Sequence, residues 1–303
     1  MIRIATSTLY QSSTQSIMAD QAQVMNTTAE LSSGKQINSP ADNPVGAAIA
    51  SSLQSDISQL GQYKSNQTQA SSLLNMGSSA LTQMLNVLQS IRTTMVQAGN
   101  STNTPAQYTA MAAQVQQNLN ELVTLGNSGD GQGGYLFGGS VNNTPPFSQS
   151  GNSVSYNGDS INQQLQVSVA NTVQSKYSGQ SVFMNIPTGS GGTQSLFQMV
   201  GNAINVLQSS NPASQSGSML TQVDQAITAL GTTQASMGAG MQAVTAYGNI
   251  GASQTLQDQT QSGNIVDTNY AQAASQLSQQ QTQFQAALQS YSAISKLSLF
   301  NYI

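Results

Sequence analysis

Tyr270, Leu277, Phe284 and Tyr291 recur at intervals of seven residues, and this period constrains the chain more than any other feature. Ala273, Ala274, Ala287, Leu288 and Ile294 fill the positions three or four further on, giving an apolar seam along one side of a helix. Asp267 stands where an N-cap would accept from the first free amides. The remaining faces carry Gln, Ser and Ala in place of Lys and Glu. Helix stability comes mostly from burial against a neighbour, so about five apolar layers on roughly 35 residues cannot hold such a helix alone in water. This segment requires a partner.

The opening of the chain offers one. Tyr10, Ile17, Val24 and Leu31 also repeat at seven, and Met18 and Met25 widen the same stripe. The two segments are expected to pair with each other, with copies of themselves, or with both. The plainer alternative is an ordinary bundle in which both stripes are core. Two facts count against it: the stripes lie where domains usually fray, and their flanks lack the charges that keep lone helices soluble.

Composition narrows the function. The chain of 303 residues is long enough for two domains, yet it has only 6 Lys or Arg and 10 Asp or Glu. Net charge is −4 with no basic run, so phosphate-driven nucleic-acid binding has no footprint. A surface this weakly charged repels copies of itself little, which suits packed assemblies. Cys, His and Trp are absent, which rules out disulfides and thiolate or imidazole metal sites. No run approaches the ~18 apolar residues of a membrane helix. The opening Met1 to Ser7 lacks the apolar core of a secretory signal, so export is expected to use another route.

The fold expected is mainly α with a small β insert: long helices in a bundle, paired N- and C-terminal coiled-coil helices, and a central β-rich module. The expected division is 1–43 (first half of the coiled coil plus a spoke), 44–134 (helical), 135–192 (β-rich), 193–264 (helical) and 265–303 (second half of the coiled coil). Gly34 reads as a helix stop, and Asn43-Pro44 as an N-cap with the first helical residue. Three-four spacing of apolar residues between Pro44 and about Gly99 predicts one helix of some 55 residues, and Thr104-Pro105 opens another that Gly126 closes. Tyr135 to Phe137 and Val182 to Ile186 read as strands. Val154 to Tyr156, Asn157-Gly158 and Leu165 to Val169 read as a hairpin with a tight turn. Helices return near Gln194 and after Pro212, the second loosened by several Gly, with Gly263 as the break before the last.

Searching for chemistry yields little. Gly129, Gly131 and Gly134 fit G-x-G-x-x-G, but a dinucleotide site needs a strand before and a helix after, and here that order is reversed. No cofactor or metal site is expected. Asp130 is a single carboxylate and makes no calcium loop. Without His, a Ser nucleophile would need Lys or a carboxylate as base, and Lys35, Lys64, Lys176 and Lys296 show no such motif. An enzyme is not expected. The Met residues within the helical stripes read as core filling, with an adaptable subunit interface as the sharper alternative.

The two heptad segments, Leu31-Ser32-Ser33-Gly34-Lys35 and the spoke from Asn38 to Pro44 resemble the ends of bacterial flagellins and their relatives. The Pro-Ala-Asp-Asn-Pro form of the spoke is more similar to the hook–filament junction branch of that family. So are Tyr135-Leu136-Phe137-Gly138-Gly139 followed by Pro146-Phe147, and the ending Leu297-Ser298-Leu299-Phe300. The resemblance implies a structural protein exported through the flagellar channel without a cleaved signal and located in the extracellular flagellum. It implies assembly with copies of itself in a ring, with hook-associated protein 1 and with flagellin, and handling by an export chaperone. The candidate assembly residues are Tyr10, Ile17, Val24, Leu31, Tyr270, Leu277, Phe284, Leu288, Tyr291, Ile294, Leu299 and Phe300. A minor flagellin is the nearest alternative reading, and a secreted surface adhesin using residues 135–190 is a third.

Overall fold

The computed structural model describes residues 2–141, 143–188 and 191–296, with side chains described from residue 8 to residue 293 within those limits. Among them the elements run α1 (Ile2–Ser33), α2 (Pro44–Ala98), α3 (Pro105–Gly126), β1 (Phe147–Ser150), β2 (Ser153–Tyr156), β3 (Gln163–Gln166), β4 (Thr172–Lys176), α4 (Gly179–Phe183), β5 (Ile186–Thr188), β6 (Gly192–Gln194), α5 (Leu196–Leu207), α6 (Pro212–Val266) and α7 (Tyr270–Lys296). The class is the expected one, mainly α with a small β insert. α2 and α6 each have 55 residues, roughly 80 Å of helix at 1.5 Å per residue. The chain divides into two compact units, residues 60–252 and residues 1–59 with 253–303.

In the unit of residues 60–252, the helices turn single stripes inward. α2 contributes Leu74, Leu81, Met84, Leu88 and Ile91, α3 contributes Val115, Leu119 and Leu122, and α6 contributes Val223, Leu230 and Met237. α5 packs on α3 and buries Leu196, Phe197, Val200 and Ile204. Thr104 and Gln107 form a reciprocal capping box at the start of α3, so two free helix-end amides are satisfied there. Four Phe rings tie the β module to these helices. Phe147 lies 4.7 Å from Phe197 and 5.6 Å from Phe183, while Phe137 lies 5.0 Å from Phe183.

The β module pairs differently from the expected hairpin. β1 joins β2 through Gly151-Asn152, and β3 joins β4, so Asn157-Gly158 turns no hairpin. The reason is packing: Phe147 sits opposite Tyr156 with ring centroids 5.1 Å apart, and the Tyr156 hydroxyl donates to the Phe137 or Asp159 carbonyl beyond the strand. Val182 and Phe183, expected in a strand, end the short α4 instead, because Ser178 caps that turn and both side chains face the core. Tyr135 to Phe137 makes only an isolated bridge to Gly129. α6 runs unbroken through Gly263 to Val266, so the break falls later than expected.

A buried ion pair fixes the Gly-rich turn after α3. Asp130 accepts from Lys176 Nζ at 2.5 Å and from the Gln132 and Gly134 amides, and both charged side chains are buried. Burial pushes the Asp130 carboxyl upward, but the Lys176 donor and the two amides outweigh it and hold the group below the usual carboxylate range.

In the unit of residues 1–59 with 253–303, α1 and α7 pack against each other. Many hydroxyls on the helices, most of them exposed, bond to a carbonyl one turn back. Thr14 donates to Tyr10 at 2.8 Å, Thr28 to Val24 at 2.7 Å, Thr260 to Leu256 at 2.7 Å and Thr282 to Ser278 at 2.9 Å.

Candidate assembly interface

The candidate interface is built around the turn that ends α1. Gly34 has φ 72°, the left-handed conformation that closes helices, and its amide donates to the Glu30 carbonyl at 2.9 Å. The chain then runs beside the start of α7. Thr268 N donates to Gly34 O at 2.9 Å, Gln36 N donates to Val266 O at 2.7 Å, and Lys35 bridges Asp267. Asp267 is therefore a bridge residue. Asn269 takes the cap expected of it: its side chain accepts from Gln272 N and its carbonyl from Ala273 N.

The spoke after Gly34 is held by side chains that replace missing backbone partners. Asp42 Oδ2 accepts from the amides of Asn38 and Ser39 at 3.0 and 2.7 Å. Asn43 Oδ1 accepts from Gly46 N at 2.9 Å, which caps α2 as the Asn-Pro pair implies. Ile37 is buried over Gly46, where any Cβ would meet its Cδ1 at 2.6 Å.

From this anchor the two helices run antiparallel, with Tyr10 and Tyr291 edge to face at 6.1 Å. A pair fixed at Lys35–Asp267 and at Tyr10–Tyr291 sets Leu31 level with Tyr270, Val24 with Leu277, and Ile17 with Phe284. Between these layers lie Thr27 with Ala273, 3% and 5% exposed, and Asp20 with Gln280. The candidate residues thus form facing stripes, yet Tyr10, Ile17, Val24, Leu31, Leu277, Phe284 and Tyr291 are only half-buried. Tyr270 and Leu288 are exposed, and on the flank Met18 and Met25 are each 63% exposed. Ile294 lies in α7, but its side chain falls outside the described residues, as do Leu299 and Phe300 entirely. In contrast, the largest fully buried side chains, Phe137, Phe183, Phe197 and Leu74 among them, belong to the other unit. Sequence reading placed Ala273 on the apolar seam but missed Thr27, which does not stand out as apolar. The seven-residue spacing between Asp20 and Thr27 was the signal available.

The Gly-rich loop offers no comparable site. Asp130 spends its oxygens on the Gln132 and Gly134 amides and on Lys176, so they brace the loop.

Comparison with known proteins assigns the class. The bacterial flagellin N-terminal helical region matches residues 4–142, and the bacterial flagellin C-terminal helical region matches residues 220–303. The chain belongs to the bacterial flagellin family. Within it, the chain is 26% identical over 315 aligned residues to flagellar hook-associated protein 3 of Salmonella typhimurium, covering 99% of both chains. It is 33% identical to flagellin B of Helicobacter pylori over 114 residues, which is 38% of this chain and 22% of that one. The fold matches the crystal structure of flagellar hook-associated protein 3 from Legionella pneumophila with a TM-score of 0.64 at 19% identity, covering 69% of this chain and 96% of that one.

Proposed function

We propose that this chain is a structural adaptor of the flagellum that joins hook-associated protein 1 to the flagellin filament, working without catalysis. The observation that carries this reading is the end-to-end likeness to hook-associated protein 3, against a likeness to flagellin B confined to about a third of the chain. The half-buried stripes of α1 and α7 support it. Such side chains gain further burial only from neighbours, here copies of the same chain in a ring and related subunits above and below. On this reading residues 1–43 and 265–303 assemble, 44–134 and 193–264 form the helical body, and 135–192 form its β-rich module. Residues Tyr10, Ile17, Val24, Leu31, Tyr270, Leu277, Phe284, Leu288, Tyr291, Ile294, Leu299 and Phe300 make the contacts. The protein is exported to the extracellular flagellum, and a chaperone covers the α7 stripe on the way.

A minor flagellin is the second reading, favoured by the flagellin B match. Deletion of the gene separates the two. Loss of an adaptor leaves hooks intact while unpolymerised flagellin spills into the medium. Loss of a filament subunit leaves bare hooks without spillage, or shorter filaments. Unimpaired swimming would refute both.

A further inference from the structure

A groove of about 290 Å³ opens between α2, the Gly-rich turn after α3 and the β3–β4 pair, all within the unit of residues 60–252. Its lining joins Lys176 and Asp130 to Gln69, Gln132 and Gln163, with Leu73 and Leu165 as its apolar part. Asp130 is fully committed, since its oxygens accept from Lys176 and from the Gln132 and Gly134 amides. Lys176 is not. Its ammonium carries three hydrogens, the residue is 6% exposed, and among the described residues Asp130 is its one protein acceptor. A buried cationic donor is costly to leave unmet, so two N–H groups gain from any oxygen that enters. The side-chain amides are partly unspent as well. Gln69 donates a long 3.5 Å bond to Gln132, and Gln163 donates to the Gly139 carbonyl at 3.1 Å. The side-chain carbonyls of Gln69 and Gln163 and the amino group of Gln132 make no hydrogen bond among the described residues.

We propose that this groove binds one neutral pyranose ring, a saccharide whose hydroxyls accept from Lys176 and Gln132 and donate to the carbonyls of Gln69 and Gln163. Three observations select that chemistry. The lining holds one cation and one anion in contact, so a charged ligand meets no net field of the opposite sign. A hydroxyl both donates and accepts, as this mixed set requires, whereas an apolar ligand would leave the set unpaired. Leu73 and Leu165 suit the C–H face of a sugar ring. The volume lies at the lower end of small-molecule sites, about 300–1,000 Å³, which fits a single ring. The wall is set in advance: Gly131 and Gly133 take φ 77° and 88°, and Asp130 binds the amides of Gln132 and Gly134. Binding therefore carries little cost for ordering this loop. The site stands apart from the α1 and α7 stripes and does not depend on the adaptor reading.

The test titrates the purified full chain with glucose, galactose and N-acetylglucosamine, with their methyl glycosides, and with glucuronate and inorganic phosphate. The amide NMR signals of Gln132, Gly133 and Gly134 report binding. At least one neutral sugar should saturate these shifts with a Kd of about 1 mM, and both anions should bind about tenfold or more weakly. Gln69→Ala and Gln132→Ala should each weaken binding by about threefold to tenfold while the melting transition stays in place. Asp130→Asn combined with Lys176→Met removes both charges together and should weaken it by about tenfold or more. Binding of the methyl glycosides beside the free sugars supports the end of a glycan as ligand, and binding of free sugars alone supports a dissolved monosaccharide. The proposal is overturned by unmoved signals with every neutral sugar, by tighter binding of glucuronate or phosphate, or by a Kd indifferent to Gln69→Ala and Gln132→Ala.

Discussion

Truncating Phe284 and truncating Phe197 remove the same ring from opposite environments. Phe197 is fully buried, with Phe147 at 4.7 Å and Phe183 at 5.8 Å. Phe197→Ala leaves a cavity in that cluster and should cost about 3–5 kcal/mol of subunit stability. Phe284 is half-buried between two helices, so its removal opens a groove that water fills. Full burial of such a side chain is worth about 1.5–3 kcal/mol, so roughly half of that is at stake in the free chain. It falls on α1 and α7, away from the main core. Phe284→Ala and Leu277→Ala should therefore leave the principal melting transition almost in place. In the assembly proposed above the exposed half of each side chain is covered too, and the loss of about 1 kcal/mol per subunit multiplies around it. The assay is chemical or thermal melting of the purified protein beside complementation of swimming in a deletion strain. The reasoning fails if Phe284→Ala lowers subunit stability as much as Phe197→Ala, or if it swims like wild type.

Three further outcomes follow from the geometry. Asp130→Asn leaves Lys176 charged and buried without its partner and should cost about 3–5 kcal/mol at neutral pH by denaturant melting, with much of the loss recovered by Asp130→Asn combined with Lys176→Met. Because the folded carboxyl is held below its unfolded value of about 3.9, its contribution is complete above that pH and lost as pH falls through the folded value. Wild-type stability should therefore drop below about pH 4, and less steeply in Asp130→Asn. Gly34→Ala forces a Cβ into a left-handed turn 2.8 Å from the Tyr270 hydroxyl and should speed exchange at Gln36 and Thr268 by about fivefold or more. With no His in the chain, assembly measured by light scattering should vary little between pH 6 and 8.

What the sequence made legible was periodic or punctuated. The seven-residue stripes of α1 and α7, Gly34 as a stop, Asn43 as a cap and Thr104 opening α3 each depend on neighbours within a turn or two, so spacing alone exposes them. The β module was misread because its pairing is decided at long range. Phe147 chooses Tyr156 through a ring cluster assembled from four separate segments, and that choice displaces the turn from Asn157-Gly158 to Gly151-Asn152. The Asp130–Lys176 pair joins residues 46 apart, and each looked isolated along the chain. Asp267 resembled a cap, but the bridge to Lys35 claims its backbone and leaves Asn269 nearest the first turn.

The threonine hydroxyls folded back on their own helices bear on how such a surface meets another. Thr14, Thr28, Thr260 and Thr282 each direct their hydrogen inward to a carbonyl one turn earlier. A neighbouring helix laid over them meets a skin that is polar in composition but already satisfied. It need not align donor to acceptor, so it can slide or rotate by a fraction of a turn without leaving bonds unmade. The adaptor proposed above, seated between two neighbours, has use for that tolerance.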